Sequence, residues 1–225
     1  MNKNTLDADS LFTKLQQITY CSTGRDIKQE QDILTICENH GFDRITIEQS
    51  YKTKDQRDLI NDGKGLFSKL SRDYPKGLYV AHHPYGSNRY PDFFILINGH
   101  ILELEAKTAS STTPKFTHGD TLIDPSKRSA IYIFTHKHDG TELLLSEHLM
   151  SVDNYFLIIK QKKDRDELQR AHDVEFAKVC KGKGEKLYCR PNIVPMGGQE
   201  YTNHIGRARE HNLSQKVLYL LKTYE

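Results

Sequence analysis

Residues 91–107, PDFFILINGHILELEAK, decide the reading of the chain. Asn98-Gly99 stands between two apolar, β-branched runs, and both residues tolerate the positive φ angles of a type I′ turn, so the stretch reads as a β-hairpin. With those two residues at the turn, Ile97 lies opposite His100, Ile95 opposite Leu102 and Asp92 opposite Glu105. Side chains alternate across a strand. Phe93, Ile95, Ile97, Leu102, Leu104 and Ala106 therefore share an apolar core face, and Asp92, Glu103, Glu105 and Lys107 share the other. Opposed residues have Cβ atoms about 5 Å apart, and like charges there destabilise a sheet unless something compensates them. A divalent cation is such a compensation.

Around this hairpin the 225 residues are 36% hydrophobic and 28% charged, with seven prolines and no tryptophan. That balance suits a soluble protein with a proper core and excludes a disordered chain. No stretch resembles a linker, so a single domain spanning 1–225, with N-terminal and C-terminal helical parts, is expected. The polar start MNKNTLDADS and the absence of an apolar run of ~20 residues lead to the expectation of a cytoplasmic protein with no membrane association. Cys21, Cys37, Cys180 and Cys189 are dispersed with no C-x-x-C pair, which favours reduced thiols over a zinc knuckle or a disulfide framework. The net charge of +2 conceals 32 basic and 30 acidic residues. Between Phe176 and Arg190, Lys178, Lys181, Lys183, Lys186 and Arg190 face the single acid Glu185, a patch that suits either phosphate contact or plain solvation.

Taken in order, residues 5–20 carry Leu6, Leu11, Leu15 and Ile18 at helical spacing, with Asp9 or Ser10 as the cap. A second helix is predicted from Asp26 to Asn39, burying Ile27, Leu34 and Cys37 and ending at Gly41, which accepts a left-handed conformation. FDRITIEQSY alternates at period two and predicts a strand from Phe42 to Tyr51 or the end of a helical layer. A short helix follows over Leu66 to Arg72, then a strand over Leu78 to Ala81, and HHPYGSNRYPD forms a polar loop into the hairpin. The irregular stretch from Thr108 to Ser129 precedes the strand AIYIFTHK, and long irregular loops of this kind are commonly functional. Glu142 to Leu145 completes a second hairpin through Asp139-Gly140. Beyond it a long helix is predicted from Val152 to about Cys180, with Tyr155, Phe156, Ile158, Ile159, Leu168, Val174 and Phe176 as its apolar members. A strand near Leu187 to Val194 and a last helix from about Asn203 to Lys222 follow.

The opposed pair Asp92 and Glu105 supplies oxygen ligands of the kind Mg²⁺ takes, one or two carboxylates with waters completing the shell. Such a cation lowers the pKa of water and neutralises charge on phosphorus, and Lys107, on the same strand face as Glu105, is placed to orient the attacking water. Glu48, Asp55, Asp58 and Asp62 are further candidates to contribute a carboxylate.

Pro91-Asp92 followed by Glu105-Ala106-Lys107 resembles the two halves of the PD-(D/E)XK nuclease superfamily motif. The loop containing Thr113-Pro114-Lys115-Phe116 and the strand AIYIF look like those of type II restriction endonucleases that cut short palindromic DNA, a similarity running from about Asn88 to Thr135. The resemblance implies a mixed α/β architecture, a central mixed sheet flanked by helices in a restriction-endonuclease-like fold. It also implies Mg²⁺, for which Mn²⁺ substitutes, and hydrolysis of double-stranded DNA leaving 5′-phosphates. Carried across by position, Asp92, Glu105 and the Ala106 carbonyl become metal ligands and Lys107 the water-positioning base. Glu103 is extra to the motif, either a second-metal ligand through water or a solvated carboxylate.

The loop after the hairpin is expected to be an ordered active-site loop presenting Thr108, Ser110, Lys115, Lys127 or Arg128. Contacts to DNA are expected from Asn88 and Arg89 before the hairpin, from Lys115, Lys127 and Arg128 in that loop, and from Gln199, Asn203, His204, Arg207 and Arg209 beside Gly197-Gly198. Side chains of this kind make bidentate bonds to base edges, although capping and surface charge account equally for the last group. A palindromic target implies a homodimer, since half-site symmetry mirrors protein symmetry. Three other functions remain: a repair nuclease or junction resolvase of the same fold, a catalytically silent DNA-binding module, and a histidine-metal hydrolase. The eleven histidines invite the last, with His136 and His138 on one strand face and His82, His83, His100 and His118 nearby in sequence. No HExxH or comparable ligand spacing supports it.

Overall fold

The computed structural model describes residues 5–22, 25–47, 66–87, 90–109, 130–148 and 209–225, together with positions 160, 164, 167, 171 and 174. Among the described residues six strands form one mixed sheet in sequence order: β1 (Asp43–Ile45), β2 (Leu78–His82), β3 (Phe93–Ile97), β4 (His100–Ala109), β5 (Ile131–His136) and β6 (Gly140–Leu145). β1 and β2 run parallel, as do β4 and β5, and the remaining neighbours are antiparallel. Helices α1 (Ala8–Gln16), α2 (Arg25–Asn39), α3 (Leu66–Asp73) and α4 (Ser214–Thr223) accompany the sheet, with a 3-10 turn at Ser146–His148.

The hairpin has the expected register, with Phe93 opposite Leu104, Ile95 opposite Leu102 and Ile97 opposite His100. Asn98 and Gly99 sit at φ 49° and 82°, as a type I′ turn requires. The turn is also anchored: Asn98 Oδ1 accepts the Gly77 N–H and its amide donates to the Tyr224 carbonyl, 3.2 and 3.3 Å.

One feature of the hairpin differs from expectation. Every residue of β3 is buried, so the sheet has a core on each face and not one apolar and one charged face. Phe93, Ile95, Ile97, Leu102 and Leu104 join Leu11, Leu15, Ile33, Leu34, Val217 and Leu221 under α1, α2 and α4. Phe94 and Leu96 join Ala81, Tyr85, Leu66 and Leu70 under α3. Because α3 covers the second face, the charged residues of the hairpin are confined to its open end. A sheet covered on both sides explains the near-continuous apolar run FFILI.

Several boundaries are corrected. The cap of α1 is Asp7, whose carboxylate accepts the Ser10 N–H at 2.9 Å, because the helix begins one turn earlier than Asp9 or Ser10 would allow. In α2, Leu34 and Cys37 are buried as expected but Ile27 is 70% exposed. The inward stripe passes instead through Gln29, Ile33 and Cys37 at four-residue spacing. The strand predicted from Phe42 to Tyr51 is the short β1, with residues 48–51 outside the described set. β4 continues through Thr108 to Ala109, into the stretch expected to be irregular. The last helix does not run unbroken from Asn203, because Asn212 adopts φ 50° and α4 starts after it. Of the helix expected over 152–180, five positions are described, all helical and all exposed, Val174 at 57% among them. The strand expected near Leu187 to Val194 lies outside the described residues. Among the described residues no helix is long and apolar enough to cross a membrane.

A buried hydrogen-bond chain ties the layers together. Thr141 Oγ1 lies 2.6 Å from the Ile18 carbonyl and can only donate to it. The 2.9 Å contact between the two hydroxyls then runs from Thr135 to Thr141, which leaves Thr135 Oγ1 to accept the Gln29 amide, also at 2.9 Å. One directional chain thus links α2, β5, β6 and the segment after α1.

Candidate functional site

The C-terminal ends of β2, β4 and β5 and the N-terminal end of β3 meet at one edge of the sheet, because β3 runs against its two neighbours. Asp92 stands one residue before β3 at that edge, after a cis Tyr90–Pro91 bond. Glu105 and Lys107 project from β4 beside it. The Asp92 N–H donates to Glu105 Oε2 at 3.2 Å, and Asp92 Oδ2 accepts the Ala106 N–H at 2.8 Å. Each carboxylate is therefore held by the main chain of the opposite strand, and Lys107 forms an ion pair with Glu105 Oε1.

This setting changes the acids. Burial, with Asp92 nearby, pushes the Glu105 carboxyl up to about 7 even though the Lys107 ammonium pulls it down. Asp92 is also raised, by burial first and by Glu30 in smaller part, against the opposing influence of Lys107, the Ala106 N–H and His83. Among the described residues, Lys107 is the one lysine that bears on both carboxyls. Two carboxyls beside one ammonium in a largely buried place favour a bound proton or a further cation. Of the sequence-predicted site, Asp92, Glu105, Ala106 and Lys107 are brought together.

Glu103 is not a solvated carboxylate: its Oε2 accepts the Tyr90 hydroxyl at 2.9 Å, and burial with this neighbouring charge holds the Tyr90 phenol well above its usual range. Arg209 is spent within the fold, bonding Glu142 Oε1 at 2.7 Å. His136 is 1% exposed and its Nδ1 faces the Asp139 carboxylate at 2.5 Å. Thr108 pairs with Thr135 in the sheet. Asn88, Arg89, Ser110, Lys115, Lys127, Arg128, Gln199, Asn203, His204 and Arg207, and the acids Glu48, Asp55, Asp58 and Asp62, lie outside the described residues.

The structure adds two α2 residues that sequence reasoning missed. Gln29, 2% exposed, directs its amide to the Ile133 carbonyl at 3.2 Å and to Thr135, with the Lys107 carbonyl at 3.5 Å. Glu30 meets two ring nitrogens, His82 Nε2 at 2.9 Å and His83 Nε2 at 3.1 Å. Burial raises the Glu30 carboxyl, but the hydrogen bond from His82 and the charge of His83 outweigh it and leave a net lowering. The His83 N–H in turn donates to the Asp92 carbonyl at 2.7 Å, which joins this group to the acidic pair. A signal was present in the sequence: Gln29 and Glu30 precede Ile33 and Leu34 by four residues each, so two polar residues occupy the inward stripe of an amphipathic helix. Polar groups in that position are retained only where partners meet them.

Comparison with known proteins returns no matching family model, no matching curated protein and no matching solved structure.

Proposed function

We propose that the chain is a Mg²⁺-dependent endodeoxyribonuclease of the restriction-endonuclease-like fold, acting on double-stranded DNA as a site-specific type II enzyme and as a homodimer. The observation that carries this reading is the reciprocal main-chain clamp between Asp92 and Glu105, with the Lys107 ammonium on the same strand face. The strand-start acid, the in-register turn and the Glu-x-Lys tripeptide make a set whose parts are individually common and jointly specific. The mixed six-stranded sheet with helices on both faces is compatible with the proposed fold.

The donor set fits a hard divalent cation. Asp92 and Glu105 offer carboxylate oxygens, and two acids beside one ammonium among the described residues favour a bound positive charge. When present, Mg²⁺ would supply Lewis-acid stabilisation of charge at phosphorus and a more acidic water. Asp92, Glu105 and the Ala106 carbonyl would hold it. The remaining work belongs to Lys107, which orients the attacking water and offsets developing negative charge, and to the Glu105 carboxylate, which fixes the ammonium in place. A phosphodiester so hydrolysed leaves a 5′-phosphate in the manner the resemblance implies.

Purified protein incubated with a long duplex of diverse sequence and Mg²⁺ is expected to give discrete fragments carrying 5′-phosphates. Cleavage confined to branched junctions would assign the same site to a resolvase, and a continuous smear would remove site specificity. Binding without cleavage in either Mg²⁺ or Mn²⁺ would leave a silent DNA-binding module.

A further inference from the structure

We propose that Glu30, His82 and His83 form a second metal site, one that takes a divalent transition-metal ion of the class that accepts imidazole ligands, with Zn²⁺ or Co²⁺ as its probe. The three ligand atoms, one carboxylate oxygen and two ring nitrogens, all lie within 4.8 Å of one another. They come from α2 and from the end of β2, with Glu30 and His82 lying 52 residues apart in the chain. Both histidines aim Nε2 at the same oxygen, Glu30 Oε2. That convergence is unusual for neighbours in sequence, since successive residues of a strand point to opposite faces. It is achieved because the strand ends at His82 and His83 adopts φ 47°, which turns its ring back beside the other, ring centroids 3.8 Å apart. The His82 ring is also stacked on Phe93 at 4.9 Å, so its orientation is set before any ion arrives.

Two imidazoles and one carboxylate make a borderline-soft donor set. Mg²⁺ prefers oxygen ligands, whereas Zn²⁺, Co²⁺ and Fe²⁺ accept nitrogen, so the two neighbouring sites differ in the ions they select. Three protein ligands leave a position of a tetrahedral or octahedral shell open to water or to a substrate oxygen. Access is available: side-chain exposures are 15% for Glu30, 15% for His82 and 21% for His83. The alternative is a metal-free arrangement in which both rings donate Nε2–H to Glu30.

These two arrangements separate without any reference to DNA hydrolysis. Chelator-stripped protein is titrated with Co²⁺ and examined by proton NMR and visible absorption. One Co²⁺ per chain is expected to produce two hyperfine-shifted, solvent-exchangeable imidazole N–H resonances, and Zn²⁺ is expected to displace it. Either His82→Ala or Glu30→Gln is expected to weaken Zn²⁺ binding by at least about tenfold, a scale on which the loss of even an outer partner acts. Asp92→Asn is expected to retain the two resonances. Wild-type protein that binds Co²⁺ without imidazole resonances, or that binds no Co²⁺, overturns the proposal. So does a Co²⁺ signal that disappears in Asp92→Asn and persists in His82→Ala. The wild-type spectrum decides the question even if a variant fails to fold, and absence of nuclease activity would not affect it.

Discussion

Asp92 and Glu105 hold each other through the backbone: the Asp92 N–H bonds Glu105 Oε2 at 3.2 Å, and Asp92 Oδ2 takes the Ala106 N–H at 2.8 Å. The arrangement fixes two acids side by side before any ligand is bound. Preorganisation of this kind removes reorganisation cost at the moment of binding, but it burdens the metal-free protein.

That burden has a pH signature. Glu105 in the folded protein sits at about 7 against an ordinary 4.5, so its protonated form is favoured by folding. Its contribution to stability is full below the unfolded value and is lost as pH rises through about 7, on the order of 3 kcal/mol over the interval. Asp92 is shifted in the same direction, whereas Glu30 is lowered and contributes above its ordinary value. Thermal melts in EDTA should therefore show Tm falling from pH 5 to pH 8, and Mg²⁺ should flatten the decline. A Tm that rises across that range in EDTA would contradict the electrostatic description.

Replacing Lys107 by Met keeps the length of the side chain and removes the ammonium. DNA cleavage should fall by at least about 10²-fold, the scale of a lost proton-handling group, while gel-shift affinity for the same duplex stays within a few-fold. Retained cleavage would mean that Lys107 serves only to balance Glu105.

The hairpin turn makes a separate prediction. Gly99 has φ +82°, and a Cβ there would lie 3.3 Å from the Pro75 carbonyl oxygen. Gly99→Val should cost at least ~1 kcal/mol from backbone strain alone, read as a lower urea midpoint with an unchanged slope. Asn98→Ala should lower the midpoint as well, because the Gly77 N–H and the Tyr224 carbonyl lose their partner.

Thr141→Val tests the buried chain of hydroxyls. It leaves the Ile18 carbonyl and the Thr135 hydroxyl without their bonds. Thr141 is 7% exposed and Thr135 fully buried, so a loss of about 1–3 kcal/mol is expected by chemical denaturation. Catalytic constants of the surviving folded fraction should not change, since neither threonine touches the acidic pair.

The hairpin was legible because its signal is local: a turn dipeptide sets register, and register sets which residues face each other. Strand alternation then brought Asp92, Glu105 and Lys107 together without any long-range information. The second core was not legible in the same way. Phe94 and Leu96 fall by alternation on the face that carries Asp92, Glu103, Glu105 and Lys107, and only the position of α3 shows that this face is covered there. Glu30 was missed because its partners His82 and His83 lie far along the chain in what read as a loop. Asn212 interrupts the predicted last helix ahead of α4 by taking a left-handed conformation, a tolerance that its sequence position alone does not advertise.

The most direct measurement is cleavage of a long duplex of diverse sequence by purified protein with Mg²⁺, with the fragment ends sequenced. The account predicts discrete fragments with 5′-phosphate ends at one recurring short palindrome, and none when Asp92→Asn protein or EDTA is used. Duplex left intact by the wild-type protein in both Mg²⁺ and Mn²⁺ would contradict it.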